Sequence, residues 1–152
     1  MSVLREAVER FFQAENWPYQ EADFDHGLML NFEGKHGTWR CYARIRDKAG
    51  QFIFYSFAPL EVPQERYPQV LEFITRANFG MFIGNFEFNF ASGTLQYRTS
   101  IDVENEEEHL THGLLRHLVY QNVLIMDKYL PALTAVVDEG LPPEEAIRRA
   151  EQ

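Results

Sequence analysis

Residues 81–103, MFIGNFEFNFASGTLQYRTSIDV, decide the fold. Side chains alternate between the two faces of a strand. Phe82, Phe86, Phe88 and Phe90 therefore fall on one side, while Asn85, Glu87 and Asn89 fall on the other. After the turn chemistry of Ala91-Ser92-Gly93, the pattern repeats. Leu95, Tyr97, Thr99, Ile101 and Val103 oppose Gln96, Arg98, Ser100 and Asp102. The segment predicts a β-hairpin with one apolar face and one wet face.

On its N-terminal side, Pro63 opens a helical stretch with an apolar stripe of Tyr67, Val70, Leu71, Ile74 and Ala77, ended by Asn78–Gly80. On its C-terminal side an acidic loop, residues 104–108, leads to Thr111. The Thr111 hydroxyl can cap a helix while Leu110 and Leu115 pack across its first turn. Leu115, Leu118, Val119, Asn122, Val123, Met126, Tyr129, Leu130, Leu133 and Val137 then form one broad stripe, as in a helix laid across a sheet. Pro131 is expected to bend this helix. Gly140 and Pro142 close it, and Pro143–Ala150 suits a short last helix carrying Ile147.

The N-terminal half begins with helical spacing of Val3, Leu4, Ala7, Val8, Phe11 and Phe12, stopped at Asn16-Trp17-Pro18. Four strands follow, Tyr19–Phe24, Leu28–Glu33, Thr38–Asp47 and Gln51–Leu60. The turns between them are short enough to make neighbours antiparallel. Phe52 and Phe54 oppose Ile53, Tyr55 and Phe57, so the last of these reads as a central strand covered on both faces.

A chain of 152 residues suits a single domain, residues 1–152, with residues 140–152 as a tail helix. Its 13 Phe, 7 Tyr and 2 Trp supply the core. Acidic residues outnumber basic ones 23 to 14, and a net charge of −9 opposes generic attraction to nucleic acid. Cys41 is the single cysteine and alternates with Trp39 and Ile45, as a small core residue would. The first residues, MSVLREAVERFF, carry acids and lack a long apolar run, so neither a signal peptide nor a membrane span is indicated. A cytoplasmic location is the expectation.

Residues 76–104, RANFGMFIGNFEFNFASGTLQYRTSIDVE, and 118–137, LVYQNVLIMDKYLPALTAVV, resemble the bacterial YbjN family, described as sensory transduction regulators. The resemblance is specific from Val70 to Val137. Over Phe11–Phe57 it lies in element order and aromatic content, and the tail PEEAIRRAE is similar too. It implies an α+β fold like that of type III secretion chaperones, with an antiparallel sheet, flanking helices and the order α-β-β-β-β-α-β-β-α plus a short C-terminal helix. Proteins of that fold are often acidic, usually dimeric, and bind segments of other proteins. No catalytic residue comes with the resemblance, and a shared fold does not transfer a function.

Several groups invite a chemical reading. His109, His112 and His117 follow Glu106–Glu108, a combination of metal-ligand types. At about 100° per residue, however, His112 and His117 lie about 140° apart, so the three do not converge. The alternative is a solvated helix start, and no metal is expected. The acidic loop offers carboxylates without an evident apolar cleft to shift them. No local signature makes Cys41 a nucleophile. Gly80, Gly84 and Gly93 lack the lysine and the strand-to-helix setting of a phosphate loop, so no cofactor is expected.

Arg40, Tyr42, Arg44 and Arg46 alternate along one strand face, and Arg98 lies on the matching face of the hairpin. Arg and Tyr are enriched at interfaces, so Arg40, Tyr42, Arg44 and Arg98 form the candidate partner-binding set, suited to an acidic peptide. An ordinary wet face with cross-strand pairs such as Arg98 with Glu87 gives the same pattern. Asn122 is expected to satisfy a neighbouring backbone.

These readings describe a non-enzymatic, homodimeric module that recognises a protein or peptide partner, without nucleic acid or membrane. The alternative is a sensor enclosing a small ligand between the sheet and the long helix.

Overall fold

The computed structural model describes residues 2–152. Its elements in chain order are α1 (Val3–Ala14), β1 (Gln20–Glu21), β2 (Leu28–Glu33), β3 (Thr38–Arg46), β4 (Gln51–Phe57), α2 (Tyr67–Asn78), β5 (Asn85–Asn89), β6 (Thr94–Asp102), α3 (His112–Glu139) and α4 (Pro143–Ala150). The strands form one six-stranded antiparallel sheet in the order β1-β2-β3-β4-β6-β5. This is the α+β arrangement that the resemblance implies.

Capping sets the starts of α1 and α3 and the end of α3. The Ser2 hydroxyl accepts the Arg5 amide at 2.9 Å, and Thr111 accepts the Leu114 amide at 3.2 Å. The long helix runs through Pro131 and ends at Gly140, which takes the left-handed conformation with φ +68°. Arg66 donates to the Val137 carbonyl at 3.2 Å, placing a cation at the negative end of that helix. Pro63 opens a 3₁₀ turn, Gln64–Arg66, before α2 begins.

Alternation sends Leu28, Leu30, Trp39, Cys41, Ala43, Phe52, Phe54, Leu95 and Tyr97 into one core shared with the helices. Phe12 of α1 packs against Phe54 with ring centroids 6.2 Å apart, and Thr99 donates to the Leu118 carbonyl of α3 at 3.0 Å. Between sheet and α3, the space is filled by Val119, Val123, Met126 and Leu133, all fully buried, together with Asn122. Asn122 donates to the carbonyls of Phe54 at 2.8 Å and Tyr97 at 3.1 Å, the backbone role expected of it.

The strand ends differ from the sequence reading. Phe82 and Phe90 lie outside β5, because Gly84 turns the chain with φ +75° just before it and the Gly93 amide closes the hairpin onto the Asn89 carbonyl. Phe82 is fully exposed and Phe90 is 64 % exposed rather than facing the core. Only Gln20 and Glu21 of the first expected strand pair with β2, because Ala22 bonds to Gly27 and the chain turns there.

Candidate functional site

The second face of the sheet carries no helix among the described residues. Register lines its side chains into rows. Met29, Tyr42, Tyr55, Arg98 and Asn85 are successive partners across β2, β3, β4, β6 and β5, and Arg44, Ile53 and Ser100 form the next row. Tyr42 and Ile53 are buried on this face yet stand apart from the core.

An aromatic run crosses the middle of the face. Tyr42 and Tyr55 lie 6.1 Å apart with planes 10° from parallel, and Tyr55 and Phe57 lie 6.3 Å apart at 8°. Phe24, from the β1–β2 loop, folds over the far end with its ring 5.3 Å from Tyr42. These four rings, with Asp25, Arg44 and Gln96, line a depression of about 400 Å³. A second depression of about 300 Å³ shares Arg44 and Tyr55 with it and continues over Ile53, Arg98 and Ser100.

The four predicted residues are only partly gathered. Arg44 and Arg98 line the second depression, and Tyr42 joins Arg44 in the first. Arg40 lines a separate notch with Pro18, Tyr19, Met29 and Asn31. It lies four positions before Arg44, about 14 Å along the strand. Arg44 approaches Asp25 at 3.8 Å, whereas Arg98 is held by Glu87 at 3.0 Å, the cross-strand pair also expected of a plain wet face. Among the described residues Arg40 makes no ion pair, which leaves its charge open to a visitor.

Tyr42 takes a different place from the one its alternation suggests. It is only 6 % exposed, so its ring is the floor of the depression rather than a protruding contact. Its hydroxyl lies beneath the β1–β2 loop and would meet any side chain added at Gly27. It finds no formed hydrogen bond among the described residues. Burial, and then the neighbouring Asp25 carboxylate, hold its pKa well above the ordinary tyrosine value.

Phe24 was not legible as a site residue, because nothing local says that a loop side chain folds back over a sheet. Tyr55 and Phe57 were legible as outer-face residues, but their alignment with Tyr42 depends on register.

The other candidate groups are dispersed. His112 Nε2 bonds Glu15 at 2.9 Å, and His109 Nδ1 bonds Glu106 at 2.9 Å. Among the described residues no three His, Cys, Asp or Glu side chains gather as metal ligands. Cys41 is fully buried with its Sγ 3.7 Å from Ser56 Oγ, and burial pushes its thiol up to about 12. A thiol so placed carries little thiolate at neutral pH. No helix among the described residues is long and apolar enough to cross a membrane.

Comparison with known structures places this geometry. YbjN of E. coli superimposes with a TM-score of 0.64 at 12 % identity, over 89 % of this chain and 93 % of that one. The ExsC–ExsE complex gives 0.58 at 14 % identity, over 88 % and 97 %. The HopA1–SchA chaperone–effector complex gives 0.52 at 14 % identity, over 80 % and 88 %. At these identities the likeness is one of fold. No curated protein sequence matches the chain. The profile of the YbjN family, "Putative bacterial sensory transduction regulator", matches residues 4–135, and the chain belongs to that family.

Proposed function

We propose that this chain is a non-enzymatic, cytoplasmic protein-binding module of a bacterial regulatory system, working as a homodimer in a chaperone-like manner. The observation that carries the reading is the one-sided sheet, which buries its helices on one face and leaves an aromatic trough flanked by arginines on the other. Such a trough suits an extended segment that lays an apolar side chain over Tyr42, Tyr55 and Phe57 while its carboxylates meet Arg40, Arg44 and Arg98. Similar folds in the ExsC–ExsE and HopA1–SchA complexes support a role in holding another polypeptide. An enclosed small-ligand site has less support, since the space between sheet and α3 is filled by side chains.

The test uses extended peptides carrying an aromatic residue flanked by Asp or Glu, titrated against the intact protein by calorimetry. Arg40→Glu with Arg44→Glu is expected to weaken binding by about tenfold or more, with the larger effect at low salt. An unchanged affinity in a folded double variant would remove this surface from consideration.

A further inference from the structure

In the loop that joins β1 to β2, Phe24 stands between two acids, Asp23 and Asp25. Its ring lies 5.3 Å from that of Tyr42, and the Asp25 carboxylate approaches Arg44 Nε at 3.8 Å. One short stretch of the chain thus sets an aromatic ring on the floor of the trough and a carboxylate against the arginine beside it. Those are the two contacts assigned above to a visiting segment.

The backbone of this loop is fixed, whereas its tip is lightly held. Ala22 N–H donates to the Gly27 carbonyl at 2.7 Å, and His26 N–H donates to the Ala22 carbonyl at 3.2 Å. Arg5 of α1 donates to the His26 carbonyl at 2.5 Å, and Gly27 N–H donates to Asp25 Oδ1 at 3.0 Å. Gly27 itself is pressed onto Tyr42, since a Cβ there would sit 2.5 Å from the phenol. Phe24, by contrast, keeps 73 % of its surface exposed. Apolar stabilisation follows the area removed from water, so this ring is held weakly. The half-exposed pair of Asp25 with Arg44 adds little more. Rotation of the Phe24 side chain between staggered rotamers would uncover Tyr42 without moving the pinned backbone.

We propose that Phe24 and Asp25 are a pseudoligand in cis, which occupies the Tyr42–Arg44 end of the trough in the free protein and is displaced when a partner segment docks. The assignment rests on the trough reading above and narrows it. The chain's own occupant is an aromatic residue followed by an acid, so the visitor that replaces it carries the same pair. Self-occupancy also sets a threshold, because a site open for only a fraction of the time binds more weakly by that fraction. Segments that bury less than a full ring or bring no carboxylate fail to displace the loop.

Calorimetric titration of the full chain with a glycine-serine peptide carrying a single Phe-Asp pair tests it. A site closed about nine-tenths of the time gains about tenfold in affinity when the occupant is removed. Phe24→Ala is expected to bind the peptide about threefold to tenfold more tightly than the wild type, with an unchanged circular dichroism spectrum. It leaves the charge unaltered, so displacement is separated from general electrostatic gain. Asp25→Asn keeps an acceptor for the Gly27 amide and should add to the effect. In the unmodified protein, the nuclear Overhauser cross-peak between the Phe24 and Tyr42 rings should be present when free and lost at saturating peptide. Its absence from the free protein, or its persistence at saturation, overturns the proposal. An unchanged or weaker affinity in Phe24→Ala overturns it too, the weaker one making Phe24 a clamp on the visitor. If that peptide is still lost by Arg40→Glu with Arg44→Glu, the trough reading stands alone. A peptide that binds neither the wild type nor Phe24→Ala removes both readings, so the two failures are distinguishable.

Discussion

Asn78, at the end of α2, uses both atoms of its carboxamide on the backbone of Phe86: Oδ1 accepts the Phe86 amide at 2.7 Å and Nδ2 donates to the Phe86 carbonyl at 3.0 Å. A side chain thus occupies one pairing position on the open edge of the sheet, as a neighbouring strand would. Asn78→Ala should cost about 1–2 kcal/mol, since two partly buried backbone groups lose their partner. A urea melt checks the value, and Asn78→Asp should recover only the half of the pairing that needs an acceptor.

Asn122 makes the corresponding bonds in the core. Its amide hydrogens reach two strand carbonyls in a fully buried setting. Asn122→Leu is expected to lower stability by about 1–3 kcal/mol in chemical denaturation, because the hydrocarbon replaces the donors of carbonyls that water does not reach.

Glu15 ties α1 to the start of α3, accepting from Tyr120 at 2.8 Å, His112 at 2.9 Å and Arg116 at 3.0 Å. The Tyr120 bond leads, with His112 and Arg116 adding to it, in holding the Glu15 carboxyl below its ordinary value. A depressed carboxylate contributes stability above its unfolded pKa and loses it as pH falls through the folded one. The wild type should therefore lose more stability than Glu15→Gln when thermal melts are taken from neutral to acidic pH. Equal losses would show that the three bonds do not couple to folding.

Tyr97 gives the opposite sign. Burial pushes its hydroxyl up to about 12, and burial also raises Tyr42 and Tyr129. Because the folded state favours the neutral phenol, this contribution is complete below the unfolded value of 10.0 and is lost as pH rises towards about 12. Tyrosinate absorbance during alkaline titration should rise in two stages, the second coincident with loss of circular dichroism. Tyr97→Phe should reduce that second stage.

Gly50 allows no side chain. It has φ +65°, and a Cβ there would sit 2.5 Å from the Glu104 Cα. Gly50→Ala should cost about 2 kcal/mol or more, combining backbone strain with displacement of the neighbouring loop. A thermal melt with unchanged oligomeric mass would isolate the effect.

Where local chemistry decides structure, the sequence was readable. Thr111 and Gly140 bound α3 as caps, the limits Leu28 and Glu33 of β2 follow from alternation and flanking turns, and Cys41 lies in the core beside Trp39. Long-range pairing was not readable. No periodicity says that β6 enters between β4 and β5, or that Tyr55 aligns with Tyr42. Phe82 and Phe90 extend the strand's alternation beyond its ends, where the backbone at Gly84 and the Asn89–Gly93 closure takes over. The candidate site was half legible for the same reason. Its arginines follow from parity along β3 and β6, whereas the ring of Phe24 over Tyr42 is a product of tertiary folding.

The alternation of β3 divides its residues between two unrelated demands. Trp39, Cys41 and Ala43 answer to packing, whereas Arg40 and Arg44 stand exposed on the open face. A lineage carrying this sheet can therefore rewrite the second set one codon at a time without disturbing the first. The exception is Tyr42, an outward position recruited into burial by Phe24, where any substitution would also be felt by the scaffold.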